Sequence, residues 1–186
     1  MHMVINVLVQ GDDKDEALGN AEMILQDLSG EGKTFDYYSL FVEKGYETCG
    51  IGRWGKIGDG AISITKKLMN EIEALDISGL ESLGDIEEKD SDHEVGKKLL
   101  VNSLIWTMNS AREALAEIRE KLNSDPEKLL DDHEFRRACR VLGEYRGYDT
   151  WIYTEDYDSI RTKSELIDFF KENKNKLWIV PADVHF

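Results

Sequence analysis

Two strand–helix–strand patterns, one at each end of the chain, restrict the fold more than any other feature. Residues 3–10, MVINVLVQ, are short, rich in β-branched side chains and closed by Gly11-Asp12-Asp13, which predicts a central strand. Leu18, Ala21, Leu25 and Leu28 then recur at helical spacing. Asp13 with Glu16 makes a capping-box pattern at the start of that helix, and Gly30 is a natural stop. Residues 34–42, TFDYYSLFV, predict a second strand with Phe35, Tyr37, Ser39 and Phe41 on one face. The other end repeats the order. Residues 149–155 predict a strand, and Thr162 with Glu165 caps a helix. KLWIVPADVHF closes the chain as a strand in which Pro181 marks an edge or a kink.

Between these modules the pattern is helical. Ile64, Leu68, Ile72 and Leu75 share one face. In residues 93–123, Leu100, Leu104, Met108, Ala111, Leu115, Ile118 and Leu122 form a long apolar stripe, widened by Val101 and Ile105. So broad a face suits core burial better than a coiled-coil seam. Ser124 or Asp125, followed by Pro126, begins another helix. Residues 78–92 are polar and carry glycine, which predicts a mobile connector. The fold expected is one α+β domain over residues 1–186. It is a ferredoxin-like split β-α-β sheet with a helical lobe, residues 61–146, inserted between strands two and three. Such an insertion closes cheaply, because doubling a loop adds only about 0.6 kcal/mol. A doubly wound sheet is the alternative.

Charge narrows the partners. The net charge is −15 over 186 residues. That disfavours direct nucleic-acid binding and anionic membranes, both of which need Lys and Arg. No apolar run approaches the length of a membrane span. Cys49 and Cys139 lie far apart and outside any CxxC, which suits a reducing, cytoplasmic setting. Residues 71–94 hold ten carboxylates against Lys89 alone. The plain account is a solvated face; the sharper one is an acidic mimic of nucleic acid.

Two places could carry chemistry. GIGRWG, residues 50–55, matches G-x-G-x-x-G, but Gly58 and Gly60 follow where a helix should open. A glycine turn that folds Trp54 back on the sheet accounts for it more simply. Tyr38, Arg53 and Trp54 are the candidate ligand-binding residues there, and Arg53 could clamp a small anionic, phosphate-bearing ligand. The second place is the tail. In a ferredoxin-like sheet the last strand ends where the first begins, so His2 and His185 should be neighbours with Asp36 at the same rim. His2, Asp36, Asp183 and His185 are the candidate set for a divalent metal such as zinc. A solvent-exposed carboxylate–imidazole pair is the plainer reading. The first two strands should be parallel and the last opposed, which sets Arg53 and Trp54 at the other end of the sheet from Asp183 and His185.

Phe35, Asp36, Tyr38, Gly52, Arg53, Trp54, Asp183 and His185 resemble a pattern in uncharacterised bacterial and phage proteins. Those proteins have an F-D-W-Y strand, a G-R-W turn and a final strand ending D-x-H. The resemblance implies a small prokaryotic or viral protein and carries no activity. The leading expectation is a non-enzymatic binding or regulatory protein that meets a protein partner, a second copy of itself or a small ligand. No cofactor is predicted. The runner-up is an enzyme or sensor for an anionic ligand through Arg53, or through metal at Asp183 and His185.

Overall fold

The computed structural model describes residues 2–41, 60–87, 89–143, 149–173 and 176–185. Its centre is an antiparallel pair of nine-residue strands, β1 (His2–Gln10) and β5 (Leu177–His185), in register along their full length. Both alternate between two buried faces, which is why both read as nearly continuous apolar runs. β4 (Ile152–Thr154) lies parallel to β1 on one side. Two short strands share the free edge of β5. β2 (Tyr37–Leu40) pairs with Ala182–His185, and β3 (Ile62–Ser63) pairs with Trp178 and Ile179, both antiparallel.

Pro181 explains why that edge is divided. Asn6 donates its amide to Trp151 O, away from β5, while His185 O and Leu177 O accept from Asp36 and Ile64 on the β2/β3 side. By alternation, the Pro181 nitrogen faces that side too, opposite the break between β2 and β3. Its missing N–H falls where no ladder bond is required.

The fold is α+β; the described residues form a five-stranded mixed sheet and six helices. β1-α1-β2 is a split β-α-β unit, since β5 runs antiparallel between its two parallel strands. The rest departs from the ferredoxin-like pattern. β2 neighbours the last strand instead of the third, and β4 is parallel to β1. The helices also cover both faces. α1 (Lys14–Leu28) sends Ala17, Ala21, Ile24, Leu25 and Leu28 against Ile5, Val7, Val9 and Val180. On the other face α2 (Lys66–Ala74), α3 (Asp92–Lys121) and α6 (Lys163–Glu172) bury Leu68, Ile72, Leu100, Leu104 and Leu166 with Val4, Leu8 and Ile179. The middle of the chain is therefore one of the two layers that make the core, and through β3 it re-enters the sheet.

α3 has 30 residues, about 45 Å at 1.5 Å per residue, and overhangs strands of nine. Its first half is buried to Ile105. Its second half packs on α5 (His133–Gly143), which the short α4 (Pro126–Asp131) precedes, and Leu115 and, just past its end, Leu122 are exposed. The connector expected to be mobile is irregular but laced to α3. Asn102 bonds Leu83 N and Gly84 O, Lys98 reaches Asp85 O, and Arg112 reaches Ser78 O. Phe35 also departs from expectation. The strand begins only at Tyr37, so alternation does not reach back to Phe35, which packs on the α1 side while Phe41 packs on the α3 side.

Candidate functional site

The antiparallel register sets His2 directly opposite His185, and β2 sets Tyr37 on the other side of His185. All three are on the α3 face at one rim of the sheet. One step inward on the same face, Asp183 lies between Val4 and Ser39. Asp183 is 3 % exposed, whereas His2 and His185 are each about one-third exposed.

Two carboxylate–imidazole pairs result. His2 Nδ1 lies 3.1 Å from Asp183 Oδ2, and His185 Nδ1 lies 3.0 Å from Asp36 Oδ2. An ionised carboxylate only accepts, so each pair calls for the proton on Nδ1 and leaves Nε2 as a lone-pair acceptor. Tyr37 completes the group. Its ring stacks on His185 with centroids 4.8 Å apart and planes 6° from parallel, and its hydroxyl lies 3.4 Å from His2 Nε2. The two imidazoles are 5.0 Å apart, edge to face. Asp36 is held by backbone as well, its amide donating to His185 O at 2.7 Å. The rim thus presents two oriented imidazole nitrogens and a phenol, backed by one buried and one exposed carboxylate. A buried carboxylate is costly unless partnered, and imidazole nitrogens of this kind accept protons, hydrogen bonds or metal ions.

All four residues named for a metal are brought to this rim. They do not converge on one point. Each carboxylate engages its own imidazole, and among the described residues no three His, Cys, Asp or Glu side chains group so as to hold a metal ion. Tyr38 is not at the rim. It is opposite Val184, one position along from Tyr37, so it faces α1 and packs half-buried on that core. Tyr37 is the residue that reasoning from sequence passed over; its signal was alternation in register with His185. Arg53 and Trp54 lie outside the described residues.

Other polar clusters read as structural ties. Asn6 Nδ2 donates to Ser103 Oγ at 2.9 Å, joining β1 to α3. Lys121 meets Glu117, Asp132 and Glu134, fastening the end of α3 to the α4–α5 junction. The acidic stretch is partly neutralised: Glu71 binds Lys97 at 3.0 Å and His93 at 3.2 Å, and Asp90 binds Lys98 at 2.7 Å. A groove of about 220 Å³ between α3 and α5 is lined by Glu113, Glu117, Glu134, Asp149 and Arg137. Among the described residues no helix is long and apolar enough to cross a membrane.

No curated protein and no solved structure matches the chain. A family model does, over residues 1–68 and 73–186, which include His2, Asp36, Tyr37, Asp183 and His185. The chain therefore belongs to the family described as Domain of unknown function (DUF7995).

Proposed function

We propose that this chain is a binding or regulatory protein whose recognition site is the histidine rim, and that its ligand or partner presents positive charge there. One observation carries the reading: two imidazoles set opposite one another across the central strand pair, each with Nδ1 taken by a carboxylate. That pairing leaves Nε2 as the acceptor of each ring, that of His2 facing the Tyr37 hydroxyl, with Asp36 and a half-exposed Tyr37 ring beside them. Acceptors, carboxylate and an aromatic face together suit an ammonium, a guanidinium or a metal cation. The net charge of −15 draws the same partners and repels anions. This favours a cationic ligand over the phosphate-bearing one considered for Arg53. The ion pairs at Glu71 and Asp90 lend little to mimicry of nucleic acid, which needs free carboxylates in regular array. Cys139 is an exposed free thiol, and the reading takes the protein to act in a reducing compartment.

The test follows the ring signals of His2 and His185 by NMR while Lys- and Arg-containing peptides, small amines and divalent cations are added. Movement at the rim that Asp36→Asn weakens supports the reading. Ring signals that ignore every cation tested would sink it.

A further inference from the structure

The geometry points to a transition-metal site in which His2 Nε2, His185 Nε2 and Tyr37 Oη are the ligands and Asp183 and Asp36 are the groups that orient them. This rests on the binding reading above and names the ligand class. It also differs from the set expected from sequence, in which the carboxylates themselves were ligands.

Three observations converge. The first is the orientation of the imidazoles. A metal-ligating histidine characteristically donates its other ring N–H to a carboxylate, which fixes the tautomer and raises the basicity of the ligating nitrogen. Both rim histidines have that arrangement, at 3.1 Å and 3.0 Å, and one of the carboxylates, Asp183, is buried. The second is spacing. Two donors bound at about 2.0–2.1 Å and at the tetrahedral angle lie about 3.4 Å apart. Tyr37 Oη and His2 Nε2 are separated by 3.4 Å, long for a hydrogen bond and suited to one edge of a tetrahedral site. His185 is stacked on Tyr37 and 5.0 Å from His2, which sets the second imidazole beside that edge while Asp36 holds its Nδ1. The third is exposure. His2, His185 and Tyr37 are each one-third to one-half open, leaving a coordination position for water or for a group on a partner. Two imidazoles and a phenolic oxygen suit Zn²⁺, Cu²⁺, Ni²⁺ or Co²⁺, not the hard oxygen-seeking Mg²⁺ and Ca²⁺.

The experiment titrates the full chain with Zn²⁺ and with Co²⁺, following stoichiometry by calorimetry, the cobalt ligand-field spectrum, and the two histidine ring signals. The expected result is one ion per chain, a visible cobalt spectrum of tetrahedral type, and both ring signals moved. His2→Gln or His185→Gln should abolish the spectrum, and Tyr37→Phe should change its shape. Asp36→Asn should weaken binding roughly 10- to 100-fold with the spectrum retained, as expected of an orienting group. Circular dichroism on each variant separates loss of the site from loss of the fold. Zinc uptake that is unchanged in both histidine variants overturns the inference. So does the absence of any zinc-induced shift in the ring signals. If zinc fails but cationic peptides still move those signals, the metal site falls and the binding reading stands; if neither moves them, both fall.

Discussion

Asp183 is the residue on which the rim turns. A carboxylate 3 % exposed on a central strand is a poor stabiliser, because desolvation offsets most of what its hydrogen bond to His2 returns. Its use is to hold His2 in one tautomer. Asp183→Asn should therefore leave the fold within about 1.5 kcal/mol of the parent, the net worth of one hydrogen bond, while shifting the Nδ1/Nε2 proton balance of His2, read from imidazole nitrogen shifts beside a denaturant melt. An unchanged tautomer in that variant would remove Asp183 from the site. Gly96 shows the opposite case, a residue that only packs. A Cβ there would meet Ile62, Ile179 and Leu68 at 3.2–3.4 Å. Gly96→Ala trades about 1 kcal/mol of helix propensity against mild crowding and should be near neutral. Gly96→Leu cannot be accommodated and should cost about 3 kcal/mol or more in chemical denaturation.

The elements are bounded by local chemistry that the chain announces. Thr162 and Glu165 make a complete capping box at α6, Asp125 caps α4 with Pro126 behind it, and Asp13 caps α1. The end of α3 is different: it is held from a distance by Lys121. Its bond to Asp132 is the main cause that lowers the Asp132 pKa, and the same bond raises that of Lys121. The signs give the window. A depressed Asp contributes stability above its unfolded pKa of about 3.9 and loses it as pH falls through the lower folded value. A raised Lys contributes below its unfolded pKa of about 10.4 and loses it as pH climbs through the folded one. The junction of α3, α4 and α5 should thus hold from about pH 5 to pH 10 and loosen on either side. Lys121→Met should flatten the acid limb of a stability–pH curve for this lobe, measured by amide exchange in α5. An acid limb identical to the parent's would show the hub to be idle.

Two apolar layers enclose one sheet, and this decides how the protein unfolds. Leu25 is buried on the α1 side and Leu104 on the α3 side, both at 0 % exposure. Because β1 and β5 line both layers, loss of either layer uncovers the other. Leu25→Ala and Leu104→Ala should each cost about 2–5 kcal/mol and should shift a single cooperative transition, followed in parallel by tryptophan fluorescence and far-ultraviolet circular dichroism. Two separated transitions would mean that the helical middle is an independent body. The exposed overhang of α3, with Leu115 and Leu122, lies outside both layers and should tolerate substitution better than Leu100 or Leu104.

Strand and helix positions were legible in the chain because periodicity and caps are local properties: β1, α1, α3, α4, α6 and β5 follow directly from the spacing of Val, Ile and Leu and from Asp13, Asp125 and Thr162. The proximity of His2, Asp36, Asp183 and His185 could be argued as well, since it needs only that the first and last strands pair antiparallel. Strand order could not. Whether β2 joins the edge of β5 or of β4, and whether α6 covers the same face as α1 or the opposite one, depends on which arrangement buries the long face of α3, a sum over contacts between residues remote in sequence. That choice placed Tyr37 at the rim and turned Tyr38 inward, because a strand's two faces differ by one position and only the partner strand decides which faces the site.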